Sequence, residues 1–254
     1  MRVLIAAVFI PAMLFCFYSG GLFLLLALWV VIFGLSAEFG ILPAIGLNFW
    51  QGALLVAGAM AIPAIRYFEM PICIGEFVLI FSAAWFLLEL VRPVEGSLIR
   101  SMAAPFVLVL FGWIPLLAFD LYGISGYHAV LPLVLVWVSD TSAYFAGHAF
   151  GKRKMSPRLS PNKTWAGFIG GVLGAVIVGV AFWLLRPSAF GWHIVFFALP
   201  AGVIAILGDL FESKMKRSMS IKDSSDAIPG HGGFWDRFDS WLFVQLWAWI
   251  YFGM

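Results

Sequence analysis

Residues 21–47 read GLFLLLALWVVIFGLSAEFGILPAIGL and contain one charged residue, Glu38. A helix rises about 1.5 Å per residue, so a run of this length crosses the roughly 30 Å of hydrocarbon in a bilayer. We therefore predict that this stretch is a transmembrane helix.

The rest of the chain has the same character. Its residues are 63% hydrophobic and 11% charged, whereas soluble domains are about 45–50% apolar and about 25% charged. The first apolar segment is expected to stay as a helix and not to be removed as a signal peptide. The pattern predicts an all-α polytopic membrane protein with about nine transmembrane helices. Their predicted positions are near 3–18, 21–47, 52–67, 72–91, 102–120, 127–148, 165–185, 190–211 and 239–253.

The basic residues predict an orientation. If the N-terminus is cytoplasmic, nine helices put every Lys and Arg except Arg66 and Arg186 on the cytoplasmic side. Loops rich in Lys and Arg stay cytoplasmic. We therefore expect a cytoplasmic N-terminus and a C-terminus on the opposite side.

Polar residues divide the chain into two parts. Residues 1–120 are nearly all lipid-type sequence and are predicted to be a scaffold of helices 1–5, whereas 121–254 contain long polar loops and most intramembrane acids. We expect the second part, helices 6–9 with two cytoplasmic loops, to be catalytic. Its run GFIGGVLGAVIVG (167–179) has glycines at small-xxx-small spacing, which favours close helix packing within the chain and leaves a homodimer contact as the alternative.

Acids inside a membrane need a partner, a cavity or a cation. Asp140 lies within a predicted helix, Asp209 and Glu212 share a helix face, and Asp236 and Asp239 repeat that spacing at the start of the last helix. Two acid pairs that meet at one loop would repel each other unless cations lay between them. Oxygen ligands favour a hard ion such as Mg²⁺.

Isolated acids have a simpler interpretation. We expect Glu38 and Glu89 to be held by buried hydrogen bonds or ion pairs. Many Lys and Arg lie beside the paired acids, and contact with anionic lipid headgroups would explain part of them. Cations interleaved with acids are instead typical of a site that holds Mg²⁺ and a polyphosphate.

Glycines precede the last helix in IPGHGGFWDRFDSW (228–241). Gly232 and Gly233 allow close approach of a ligand to the backbone, and the helix that follows favours anions at its N-terminus. A simple turn is the alternative. His231 has no imidazole or thiolate neighbours in the sequence, so we expect no zinc site.

At this point the chain resembles the phosphatidate cytidylyltransferase family, the CDP-diacylglycerol synthases. The C-terminal motif of that family matches this chain without a gap at Ser213, Lys216, Arg217, Lys222, Asp223, Pro229, His231, Gly232, Gly233, Asp236, Arg237 and Asp239. SDTSAYFAGHAFGKRKMSPRLSPNKTWAGFIGG (139–171) and GDLFESKMKR (208–217) are similar to two further family segments.

The resemblance implies Mg²⁺-dependent transfer of CMP from CTP to phosphatidic acid, which gives CDP-diacylglycerol and pyrophosphate for phospholipid biosynthesis. It implies Asp209 and Asp236 as metal ligands, with a second cation left open. The expected catalytic residues are Asp209, Asp236, Lys216, Arg217, Lys222, Asp223 and Arg237. The expected substrate-binding residues are Asp140, Ser160, Asn162, Lys163, Thr164, Ser213, His231, Gly232, Gly233 and Asp239.

The expected partners are CTP, phosphatidic acid and membrane lipid, with a homodimer left open and no nucleic acid. The expected location is the cytoplasmic membrane of a prokaryote, with the active site facing the cytoplasm. A CTP-dependent lipid kinase of the polyprenol or dolichol type is one alternative. A cation transporter is another, although transporters commonly have matching repeats and here the acids and cations cluster in one half.

Overall fold

A computed structural model describes residues 2–94, 96–157, 159–222, 224–225 and 232–253, with the backbone alone for 2–6. Within these residues the chain is almost entirely helical. α5, a π-helical stretch Val107–Trp113 and α6 form one continuous helix, Ser97–Ile124. The α-helices are α1 (Arg2–Ser19), α2 (Gly21–Ile41), α3 (Phe49–Tyr67), α4 (Ile74–Glu89), α5 (Ser97–Phe106), α6 (Ile114–Ile124), α7 (Gly126–Phe150), α8 (Trp165–Leu185), α9 (Ile194–Ser218) and α10 (Trp235–Phe252).

Six helices of the described part of the chain are long and apolar enough to cross a membrane. The chain is therefore a polytopic helical membrane protein, as the composition predicts. The predicted count of nine spans and the orientation of the termini stay predictions. The six helices are Gly21–Ile41, Phe49–Tyr67, Ser97–Ile124, Gly126–Phe150, Trp165–Leu185 and Ile194–Ser218.

Several boundaries differ from the sequence prediction: α2 ends at Ile41 instead of near 47, and the helix predicted at 102–120 runs from Ser97 to Ile124. α9 continues to Ser218 instead of ending near 211, because the ion pair between Glu212 and Lys216 at i,i+4 spacing stabilises its last turns. The loop after α7 contains an antiparallel hairpin of β1 (Lys154–Ser156) and β2 (Ser160–Thr164). The hairpin leads directly into α8, because the Thr164 side chain accepts a hydrogen bond from Gly167 N at 3.1 Å and caps the helix.

One compact unit comprises residues 1–117 and 223–235. Its helix α2 is buried along most of its length by apolar side chains, and Glu89 at the end of α4 is paired as expected for an isolated intramembrane acid. Arg100 Nε lies 2.8 Å from Glu89 Oε2, and Arg92 Nη1 lies 3.0 Å from Glu89 Oε1. The paired charges offset each other's burial.

The other compact unit comprises residues 118–222 and 236–254. Its helices approach closely because small residues face each other, as the glycine spacing of α8 predicts. A Cβ at Gly174 would overlap the Ser142 side chain of α7, and a Cβ at Gly202 of α9 would meet Val172 and Ala175 of α8. The scaffold and catalytic roles predicted for 1–120 and 121–254 stay predictions.

Candidate active site

Lys163 and Asp209 form an ion pair in the second unit. Lys163, at the end of the hairpin, places its Nζ 2.5 Å from Asp209 Oδ2 in the middle of α9. Ser213, one turn further along α9, donates a hydrogen bond to Asp209 Oδ1 at 3.4 Å. The Asp209 side chain is 36% exposed, so this carboxylate is accessible to a ligand.

Lys216 lies between two more carboxylates of the same unit. Its Nζ is 2.6 Å from Glu212 Oε1 and 2.5 Å from Asp236 Oδ1 in the first turn of α10. The exposed fractions are 11% for the Lys216 side chain, 3% for Glu212 and 11% for Asp236. Charges taken so far out of water are stable only when they are paired, so Lys216 and the two acids depend on one another.

Three carboxylates in this region are close enough to hold a metal ion together. Asp209, Glu212 and Asp239 each offer an oxygen within 4.8 Å of the other two. Asp239 is buried and also accepts a hydrogen bond from Ser240 N at 2.7 Å. Three carboxylates this close repel one another unless a proton or a cation offsets their charge. Because every donor atom is an oxygen, the group suits a hard divalent ion such as Mg²⁺.

A cavity of about 540 Å³ opens beside the Lys163–Asp209 pair. Asp140 in α7 lines it and lies within electrostatic range of Asp209, Lys163 and Arg237. The cavity is large enough for a nucleotide-sized ligand. The other lining residues are Ala143, Tyr144, Gly147, His148, Gly151, Lys154, Met155, Asn162, Thr164, Gly167, Phe168 and Ile206.

Other predicted site residues have different surroundings. Arg217 is exposed and donates to Ile221 O at 3.2 Å, and Lys222 is exposed. Thr164 caps α8 with its side chain, as described above, and Ser160 pairs with Ser156 in the hairpin.

The glycine-rich loop is described only in part. Gly232 and Gly233 belong to the first unit, and Gly232 has a φ of 79°, which a residue with a side chain rarely adopts. Asp223 and His231, which are also predicted site residues, lie outside the described residues.

Glu212 is the acid that the predicted set of site residues omits. It joins both the metal-competent group and the Lys216 pair. The spacing of Asp209, Glu212 and Lys216 on one helix face is the sequence pattern that indicates it. The aromatic and basic cavity residues Tyr144 and His148 were also not predicted.

The fold and this site together define an integral membrane protein whose acids and lysines are grouped as in sites that hold a metal ion and phosphate. A model of the cytidylyltransferase family matches residues 1–254. The chain belongs to this family, which confirms the resemblance found in the sequence.

Three relatives from bacteria are named phosphatidate cytidylyltransferase. The relative from Pseudomonas aeruginosa is 32% identical over 258 residues, covering 94% of this chain and 91% of the relative. Those from Bacillus subtilis and Haemophilus influenzae are 42% and 44% identical over 127 and 125 residues. These two alignments cover 50% and 45% of this chain, and 46% and 43% of the respective relatives, so they span less than half of each relative.

Proposed function

We propose that this protein transfers CMP from CTP to phosphatidic acid and releases pyrophosphate, forming CDP-diacylglycerol. One observation carries the proposal. Lys163 pairs with Asp209 in the lining of a cavity of nucleotide size, and Lys216 pairs with Asp236, in a chain of the cytidylyltransferase family. The name of the relatives, phosphatidate cytidylyltransferase, supports CTP and phosphatidic acid as the two substrates.

The acid group fits the Mg²⁺ that this reaction requires, because its three carboxylates supply oxygen ligands only. We propose Asp209, Glu212 and Asp239 as metal ligands. Asp236, whose carboxylate is paired with Lys216, remains a proposed metal ligand as well. Bound Mg²⁺ would neutralise phosphate oxygens and stabilise the leaving pyrophosphate. We also expect that the same acids could bind a second cation.

The basic residues would hold the two substrates. Lys163 borders the cavity and would turn from Asp209 toward the triphosphate, because phosphate offers more negative charge than a carboxylate. Lys216 would keep Asp236 and Glu212 in place, and Arg237, which is exposed, would contact phosphate. Arg217, Lys222, Asp223 and His231 stay predicted members of this set.

The bond changes are those of a nucleotidyl transfer. An oxygen of the lipid phosphate attacks the α-phosphorus of CTP, and the bond from that phosphorus to the β-phosphate bridge breaks. A general base is not needed, since a phosphate monoester with a second pKa near 6 is already largely ionised at about pH 7. The residues of this chain contribute position and charge.

We further propose that the protein lies in the cytoplasmic membrane with its site facing the cytoplasm. Nine helical segments, a cytoplasmic N-terminus and an opposite C-terminus would put the hairpin and the end of α9 on the face that is rich in Lys and Arg. That face is where CTP is available.

Labelled CTP tests the proposal. Purified protein in detergent is given phosphatidic acid, Mg²⁺ and CTP labelled either on the α- or on the γ-phosphate. We expect the α-label in lipid and the γ-label in pyrophosphate. The γ-label in lipid would instead identify a lipid kinase and overturn the proposal.

A substitution at Asp209 tests whether the CMP transfer takes place at this site. We expect Asp209→Asn to lose at least about 100-fold in rate, because it removes a charged ligand next to Lys163. The control is Glu69→Gln, the same chemical change at an exposed carboxylate. Equal rates for the two variants would contradict the assignment.

A further inference from the structure

Glu38 holds both ends of the glycine-rich segment that precedes α10. It is buried in α2, with 4% of its surface exposed, and its carboxylate accepts four hydrogen bonds within the first unit. Ser225 Oγ and Phe234 N donate to Oε1, both at 2.6 Å. Ser224 Oγ and Trp235 N donate to Oε2, both at 3.0 Å.

The pairing of these donors is specific. Each carboxylate oxygen takes one serine hydroxyl from the start of the segment and one backbone amide from its end. One side chain of α2 therefore joins residues that are about ten positions apart in sequence, through hydrogen bonds to a charged acceptor.

Two glycines near Glu38 show that the side chains around its carboxylate are tightly packed. A Cβ at Gly233 would overlap Ser224 Oγ and the Glu38 carboxylate, so a side chain there would displace the groups that make this contact. A Cβ at Gly34, one turn before Glu38 on α2, would overlap the ring of Phe234. Two glycines far apart in sequence thus make room for the same contact.

Trp235 anchors the end of the segment from another direction. Its indole is 1% exposed and packs against Phe39, Phe106 and Phe111, with ring centroids 6.0, 6.4 and 5.7 Å away. The next residue along the chain is Asp236. The backbone that leads into the proposed site residue is therefore fixed by Glu38 and by aromatic packing.

We propose that Glu38 is a positioning residue for the reaction: it fixes Ser224, Ser225, Phe234 and Trp235, and thereby fixes the backbone that continues directly into Asp236. The kinetic part of this inference rests on the proposed function, and the structural part does not. An isolated acid in an apolar helix thus acquires a role beyond its own burial.

Glu38→Gln is the sharpest variant. The amide keeps one acceptor oxygen and turns the other into a donor that faces a serine hydroxyl and a backbone N–H. We expect backbone amides 232–235 to exchange with deuterium about tenfold or more faster than in the unsubstituted chain. We expect kcat to fall by about tenfold or more in the same variant.

Two controls separate positioning from general destabilisation. Ser36→Ala, two residues earlier on α2, removes a buried hydroxyl that makes no hydrogen bond to any described residue and should change neither quantity. Glu89→Gln weakens the ion pair with Arg100 in the same unit and should lower the melting temperature without faster exchange at 232–235.

A loop-side variant keeps the test valid if Glu38→Gln does not fold. The double change Ser224→Ala and Ser225→Ala removes two of the four donors and leaves Glu38 intact. If Glu38→Gln folds, the protein with all three substitutions should exchange less rapidly than the product of the two separate rate increases predicts, because both sets of changes remove the same hydrogen bonds.

Unchanged exchange at 232–235 in both the Glu38 and serine variants would overturn the inference, as would kcat values within about twofold of Ser36→Ala. If the unsubstituted protein transfers no CMP, the proposed function fails. The exchange measurement then still decides whether Glu38 orders the segment.

Discussion

Replacing Lys216 with methionine removes a cation that contacts both Glu212 and Asp236 and keeps a side chain of similar length. The two acceptor oxygens lie 2.6 and 2.5 Å from Lys216 Nζ, so they are within about 5 Å of each other and, at an effective dielectric constant of about 20, would repel by about 3 kcal/mol. Removing one partner of a buried ion pair costs about 3–5 kcal/mol. We expect the free energy of unfolding to fall by about 3 kcal/mol, since protonation of one acid relieves part of the repulsion.

Tryptophan fluorescence during heating in detergent measures this change. A loss of about 3 kcal/mol lowers the melting temperature by roughly 6–12 °C in a chain of this size. Mg²⁺ should restore part of the loss, because the acids left by Lys216→Met still offer oxygen ligands to a cation. CMP transfer should fall by at least about 100-fold, because Asp236 loses its partner.

Lys214→Met is the matched control, because Lys214 is exposed on the same helix. It should melt within about 2 °C of the unsubstituted protein. If Lys216→Met melts and reacts like Lys214→Met, then Lys216 does not hold the acids together and the account of the site is wrong.

Further predictions concern the nucleotide, the metal and the helix packing. Lys163→Met should raise the KM for CTP by about tenfold, because it removes a cation beside the cavity; an unchanged KM would exclude Lys163 from nucleotide binding. Chelation with EDTA should abolish CMP transfer, and added Mg²⁺ should restore it; full activity after chelation would contradict the metal assignment. Gly174→Val should lower stability by about 1–3 kcal/mol, because the new side chain overlaps Ser142. The control is Gly123→Ala, where nothing lies within 4 Å of the added Cβ, and equal melting temperatures for the two would contradict the packing.

Helix positions are the part of this fold that the sequence predicts best. Long apolar runs are helices because a bilayer leaves the backbone no other way to satisfy its hydrogen bonds, and the run 21–47 is helical from Gly21 to Ile41. The predicted end of α9 was wrong by about two helical turns, because the last residues of α9 are polar and hydropathy marks only the apolar part of a helix. The π-helical stretch Val107–Trp113 has no sequence pattern that indicated it.

The site was predictable as a set of residues but not as a set of contacts. Asp209, Lys216 and Asp236 follow from acid and lysine spacing and from the family motif. The pairing of Lys163 with Asp209, and of Lys216 with Asp236, depends on helix packing between segments far apart in the chain. Glu38 illustrates the same limit, since its partners lie 186 to 197 residues away.

We propose that a divalent ion binds to the carboxylates of α9 and α10 together with the triphosphate of CTP. A structure determined with Mn²⁺ and a non-reactive CTP analogue tests this directly, because the anomalous scattering of manganese locates the ion. We expect a peak within about 2.5 Å of an Asp209 carboxylate oxygen, with phosphate in the cavity lined by Lys163. A metal and nucleotide bound away from Asp209, with these acids unchanged, would contradict the account.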